Sequence, residues 1–380
     1  MVAVAQAMGG SVIHHTLLER RGGATRVAVM LHGDLSAMGW ASERSFEAAE
    51  SREGESMLIK RPWPARLEEA LAAGGVAHVH STSQWHELLA FLAVRRAPTV
   101  ITLHDFQLVT GGCVYPAECD YTDNGCPDPC PRGYPDPEVE RGQRKRLVEA
   151  LDPVIVSPSE WLREQAETSL GREVVLVPNG VPWPASMPDE QAKAAAKTAL
   201  GIAPAARTVL FIAHGGRKAA FKAGNRWDAI WKTIKQRAPK TVGIMAGGTK
   251  LEREGDLLRM PYLEPAHLAE VMTAADVLCH PTLADNHPLS ILEAMAHGAA
   301  VAATGVGGVL EQVEDGETAM LAPPHDWDAL AHRAADLLSR PSRGRALAAR
   351  AYERGGERFS AGRMAADYRA LYETITTTTR

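Results

Sequence analysis

Three pieces of one stretch decide the architecture: Val277-Leu278-Cys279-His280, then Asp285-Asn286-His287-Pro288-Leu289-Ser290-Ile291-Leu292-Glu293-Ala294-Met295-Ala296, then Ala300-Val301-Ala302-Ala303. The outer two are short apolar runs, as a strand covered on both faces requires, and in the middle piece Leu289, Leu292 and Ala296 recur at helical spacing. Strand, helix and strand in that order form a parallel crossover unit. Working outward, apolar runs at 208–213 and 241–246 precede it, with helical spacing at 227–237 and 268–275 between them. The first half repeats the theme with runs at 76–80, 99–103, 154–156 and 174–177. Such alternation predicts an α/β protein of doubly wound parallel sheets, buried on both faces.

At 380 residues the chain exceeds one ordinary domain, and a prior of about 150 residues per domain suggests two. The break is placed in Pro178-Asn179-Gly180-Val181-Pro182-Trp183-Pro184, where three prolines and an Asn-Gly pair stop both helix and central strand. This gives a first domain over 1–184, a second over 185–360 and a terminal helix over 361–380. In that helix Met364, Tyr368, Leu371 and Tyr372 share a face and are expected to pack back on the first domain, while threonines 376–379 are expected to fray.

Composition is ordinary for a globular protein, with 45% hydrophobic and 23% charged residues. A net charge of -5 removes the basic footprint of phosphate-backbone binding, so nucleic acid is not an expected partner. Residues 1–10 lack the basic and apolar regions of a secretory leader, and apolar runs such as 88–94 stop at Arg95 and Arg96, far short of a spanning helix. A cytoplasmic location follows as the expectation, with peripheral contact at the inner face of a membrane left open.

The chemistry concentrates in the opening stretch. Asp285 and Glu293 stand eight positions apart, the first in a loop and the second within a helix whose first turn suits Pro288. A carboxylate beside an apolar stripe needs a partner, and a ribose diol offers two donors to it, while the helix N-terminus suits phosphate. The plainer alternative has Asp285 capping the helix and Glu293 in an interior hydrogen bond. After the run at 208–213 comes His214-Gly215-Gly216-Arg217-Lys218-Ala219-Ala220-Phe221-Lys222-Ala223-Gly224, a glycine-flanked cationic loop at the strand end where ligands of open α/β sheets collect. Arg217 and Lys222 could neutralise a diphosphate there, the alternative being a solvated charged loop.

With these residues in place the chain resembles the family-four retaining glycosyltransferases of the GT-B fold, two Rossmann-like domains facing across a cleft. Asp285 to Glu293 matches the family's paired acids, and Arg217 with Lys222 its basic pair. The likeness extends to Gly22-Gly23-Ala24, Thr102-Leu103-His104-Asp105, the run 176–180 and the run 305–311. The resemblance implies transfer of a sugar from a nucleotide-diphosphate-sugar donor to a sugar, lipid-linked or other small acceptor in polysaccharide or glycoconjugate assembly. It implies Arg217, Lys222 and His104 as catalytic residues, and Gly22, Gly23, Asp285, His287, Leu289, Ser290 and Glu293 as donor-binding residues. Glu293 would hold the ribose, Asp285 the sugar hydroxyls, the basic pair the β-phosphate and His104 the sugar. No cofactor is implied for catalysis. Two departures are notable: the first acid is Asp285 where the family usually has Glu, and Pro288 lacks an N–H, which throws phosphate contact onto the amides of Leu289 and Ser290.

Cys113, Cys119, Cys126 and Cys130 cluster in a Cys-rich loop over 111–137. In a reducing compartment four thiols suit a structural zinc better than two disulfides, which stay the alternative. Cys279 reads as an inert core residue. Two other functions compete. A nicotinamide oxidoreductase would need a third glycine where Gly305-Val306-Gly307-Gly308-Val309-Leu310 has Leu310. A non-catalytic nucleotide- or sugar-binding protein is disfavoured by Arg217, Lys222 and Glu293 occurring together.

Overall fold

A computed structural model describes residues 10–50, 58–116, 119 and 125–378 of the chain. It contains one compact unit of residues 1–179 with 361–380, and a second of residues 180–360. The first 184 residues assigned to one domain thus end five positions earlier, because Val181 N–H already donates to Phe359 O (2.9 Å) within the second unit.

In the first unit the elements run β1 (Ser11–Leu18), α1 (Gly23–Ala37), β2 (Ala41–Glu50), β3 (Leu58–Lys60), α2 (Trp63–Ala72), β4 (Val76–Val79), α3 (Trp85–Val94), β5 (Thr99–Thr102), α4 (Pro137–Leu151), β6 (Val154–Ser157), α5 (Glu160–Leu170) and β7 (Val175–Leu176). They build a sheet of order β3-β2-β1-β4-β5-β6-β7, parallel except where β3 turns back on β2. Helix α1 turns Val27, Ala28, Leu31 and Leu35 inward, all fully buried, a helical stripe on one side of the sheet. The apolar runs did not announce β1 and β2. His14 and His15 interrupt β1, and β2 carries Glu43, Arg44, Glu47 and Glu50 on a strand whose second half is buried.

The second unit repeats the plan with α6 (Glu190–Ala199), β8 (Arg207–Ile212), α7 (Trp227–Arg237), β9 (Thr241–Gly248), β10 (Glu252–Glu254), β11 (Leu257–Pro261), α8 (Pro265–Ala274), β12 (Val277–His280), α9 (Leu289–Ala296), β13 (Ala300–Thr304), α10 (Val309–Gln312), β14 (Ala319–Ala322), α11 (Trp327–Ser339) and α12 (Pro341–Phe359). Its sheet order is β10-β11-β9-β8-β12-β13-β14, parallel apart from β10. Phe211, Trp227, Ile234, Leu330 and Leu337 close the core between sheet and helices, and Cys279 lies in it with its thiol pushed far up by burial. Asp189 and Asp326 accept hydrogen bonds from Ala192 N–H and Ala329 N–H, both 2.8 Å, at the starts of α6 and α11. Each such cap is worth about 1 kcal/mol.

The last helix, α13 (Ala361–Thr378), belongs to the first unit. Its Met364, Ala365, Tyr368 and Tyr372 are buried, and the Tyr hydroxyls reach His78 Nδ1 (2.6 Å, Tyr372) and Thr102 Oγ1 (2.7 Å, Tyr368). The expected fraying is corrected for 376–378, which are helical: Thr376 and Thr377 hydroxyls donate to Tyr372 O (2.9 Å) and Glu373 O (2.7 Å), continuing the turn. Thr379 and residues 1–9 lie outside the described residues.

Candidate functional site

In the second sheet the strand order reverses between β8 and β12, the place where open α/β sheets receive ligands at their strand ends. Beyond β8 the chain makes two 3-10 turns, Gly216–Lys218 and Gly224–Arg226. Glycine is required in both: a side chain at Gly224 would lie 2.4 Å from Gly216 O, and Gly216 itself has φ +52. Trp227 Nε1 donates to Lys222 O (3.1 Å), and Leu283 N–H to Phe221 O (2.8 Å), so the loop after β8 is pinned to the loop after β12.

The pinning brings Lys222 onto Asp285. The two form an ion pair, and His280 Nε2 donates to the same carboxyl oxygen at 3.0 Å. With that nitrogen protonated, His280 Nδ1 accepts from Ser290 Oγ at 3.4 Å, in the first turn of α9. Asp285 is buried, which works against its charge, but the Lys222 ammonium and the His280 hydrogen bond outweigh burial and hold its carboxyl below the usual range. Burial lowers the His280 imidazole in turn, so it sits neutral. Gly308 N–H donates to Asp285 O at 3.1 Å, tying in the loop after β13.

The other expected residues of this unit are placed as follows. Arg217 turns to Asp228 (3.1 Å), which also takes Arg259 (3.0 Å), so the basic pair is split between two acids. Glu293 is 6% exposed on α9. Pro288 is the residue before α9, not within its first turn, with extended backbone (ψ 122); Leu289 and Ser290 therefore supply the leading amides. His287 is buried, and its Nδ1 accepts from Gln312 Nε2 at 3.0 Å.

In the first unit, Gly22 has φ +96 and precedes α1, and no atom would obstruct a side chain at Gly22 or Gly23, so both present open backbone. His104, just beyond β5, is half-buried, and burial lowers its imidazole to about 4. Its Nε2 lies 3.1 Å from His80 Nδ1, and His80 Nε2 lies 3.1 Å from His14 Nδ1. Next to them, His78 is held by Tyr372 and by Thr102 Oγ1 at 2.8 Å. Sequence reasoning missed this group apart from His104. The available signal was His78 and His80 on one face of a strand, with His14 as the register partner of His78.

The four clustered thiols line one small cavity with Thr110, Arg132 and Tyr134. Gly111 N–H donates to Cys126 Sγ at 3.3 Å. Burial, with the neighbouring Cys130 thiol, pushes Cys113 up to about 11. Among the described residues, three or more metal-binding atoms come within 4.8 Å of one another at His14, His78 and His80 alone. The thiols thus share a cavity without closing to ligand spacing, and in the histidine group both His78 nitrogens are already engaged. Residues 117, 118 and 120–124 of the Cys-rich loop are outside the described residues.

Residues 209–340 match the family model for group 1 glycosyl transferases. That match lies within the second unit. Across the longer chain, a D-inositol 3-phosphate glycosyltransferase of Kribbella flavida is 30% identical over 269 residues, 63% of this chain and 62% of that protein. One from Nocardia farcinica is 29% identical over 62% of this chain and 53% of its own length, so the chain spans little more than half to three fifths of these relatives. Sucrose-phosphate synthase from Thermosynechococcus elongatus superposes with a TM-score of 0.71 at 20% identity, covering 97% of this chain and 100% of that one. Anabaena HepE, crystallised with UDP and glucose, also gives 0.71, at 14% identity and 96% and 100% coverage. The two units therefore have the GT-B fold, as expected. Among the described residues, no helix is long and apolar enough to cross a membrane.

Proposed function

We propose that this chain is a retaining glycosyltransferase that binds a nucleoside diphosphate sugar, of the UDP class, on its second unit and transfers the sugar to an acceptor. The observation that carries the reading is the convergence of Lys222, Asp285, His280 and the start of α9 at one reversal of strand order. Lys222 and Asp285 neutralise each other without ligand. A diphosphate takes the ammonium for its own charge and leaves the Asp285 carboxylate to accept hydrogen bonds from sugar hydroxyls. The amides of Leu289 and Ser290 meet the phosphates, Glu293 accepts from the ribose, and Arg217 leaves Asp228 for the β-phosphate. As the bond to the sugar breaks, negative charge grows on the leaving diphosphate, and preorganised cations and amides stabilise it there. Gly22, Gly23 and His104, all in the first unit, are proposed as donor-binding residues from the resemblance alone.

The relatives' inositol phosphate acceptor is not carried over. A polysaccharide or lipid-linked sugar, met in the cytoplasm at the inner face of a membrane, is proposed from the resemblance alone. The four thiols are proposed to hold a structural zinc: their shared cavity and the N–H···S bond to Cys126 support it, and ligation would draw the sulfurs together. Elemental analysis of protein purified without added metal should find one zinc per chain, and a metal-free protein of unchanged stability would remove the proposal. The function itself is tested by thermal shift with UDP, GDP and NAD. Stabilisation by UDP at saturating concentration supports sugar transfer, whereas a response to NAD alone points to the oxidoreductase reading.

A further inference from the structure

Behind His104 lies a row of imidazoles that ends blind. From the half-buried end the order is His104, His80 and His14, joined by two ring-to-ring contacts of 3.1 Å each. His80 and His14 are buried, and burial lowers both imidazoles, His14 to about 3. At the inner end His14 Nε2 is buried with no hydrogen-bond partner among the described residues. A neutral imidazole has one N–H and one lone pair, and each contact needs one of each. Only two arrangements satisfy both contacts. In one, every ring donates inward and His14 is left with an N–H buried and unpaired. In the other, His14 Nδ1–H donates to His80 Nε2, His80 Nδ1–H donates to His104 Nε2, and the blind end is a bare lone pair.

Two observations choose the second. An orphaned N–H is the rarer buried group in folded proteins. In addition, Arg44, the register partner of His14 on β2, is a cation that weighs on the His14 ring, and positive charge favours a lone pair over another N–H.

We infer that His80 and His14 are positioning residues that fix His104 as its Nδ1–H tautomer, so that its outward nitrogen is a hydrogen-bond donor and not a base. The ligand atom it meets is then an oxygen that accepts. Resting on the glycosyltransferase reading, this makes His104 a donor to a sugar oxygen and excludes it as the group that deprotonates the acceptor.

The test is long-range proton–nitrogen NMR on the full chain labelled at histidine nitrogen, with His104 assigned through His104→Gln. The expected spectrum shows His104 protonated at Nδ1; protonation at Nε2 overturns the inference, whatever the enzyme's activity. His14→Asp sharpens it, since a carboxylate in place of His14 Nδ1 can only accept and should reverse the row. In that variant His104 should move to the Nε2–H form, and transfer should slow about tenfold, the loss of one hydrogen bond, with UDP affinity unchanged. If His14→Asp does not fold, the wild-type spectrum decides alone. Reversal of the tautomer without a change in transfer would keep the positioning chain and reject the role of His104 in sugar binding.

Discussion

Where strand order turns back in the second sheet, between β8 and β12, the end of β12 and the adjoining loops carry Lys222, His280 and Asp285. At the matching place in the first sheet, between β1 and β4, the side chains are His14, His78 and His80. The second arrangement is ionic: a carboxylate and an ammonium stand paired, each satisfied by the other until a charged ligand arrives. The first is made of neutral rings, and burial holds them so. A diphosphate carries the charge that only the ionic end can match, whereas a neutral row can hold a proton in one place without attracting phosphate. On the proposed reading, one fold used twice is furnished for two tasks, holding charge and orienting a donor.

The comparison breaks most sharply at Lys222. Lys222→Ala should reduce turnover by about 100-fold or more, with circular dichroism showing the fold retained; near-normal turnover would empty the ionic end of its role. Glu293→Ala is expected to weaken UDP binding about tenfold by calorimetry, while the His104 nitrogen spectrum stays as in the wild type. An altered spectrum would mean the two ends are not independent. A third effect is in stability. Glu47 on β2 accepts from His15 Nε2 (3.4 Å), from Ser83 N–H (3.1 Å) and from the hydroxyls of Ser83 and Thr82, fixing the chain just beyond His80. Burial alone would raise its carboxyl, but these donors prevail and hold it at about 2, against an ordinary 4.5. A lowered folded value stabilises above the unfolded one, so this contribution is complete above about pH 5 and disappears as pH falls toward 2. Glu47→Gln should therefore cost about 2 kcal/mol at neutral pH, and chemical denaturation at stepped pH should show wild type and variant converging in acid.

The sheets were legible because their strands are apolar runs: 76–80, 99–103, 208–213, 241–246 and 277–280 each overlap a strand within a residue or two. β1 was hidden because the residues that make it informative, His14 and His15, read as polar interruptions, and both are fully buried. Spacing named Lys222 and Asp285 separately, but that they meet, 63 residues apart in sequence, depends on β8 and β12 being neighbours. The partner of Arg217 was illegible from spacing alone, since Asp228 lies on α7, beyond both 3-10 turns.

The chain leaves the first unit at Asn179 and returns to it at Ala361. During synthesis the second unit, an uninterrupted segment, can collapse as soon as it clears the ribosome, while the first must wait for the final helix before its histidine pocket is sealed by Tyr368 and Tyr372. Completion of the first unit is therefore a property acquired last, and any loss of those closing turns would leave a finished second unit with an unfinished companion.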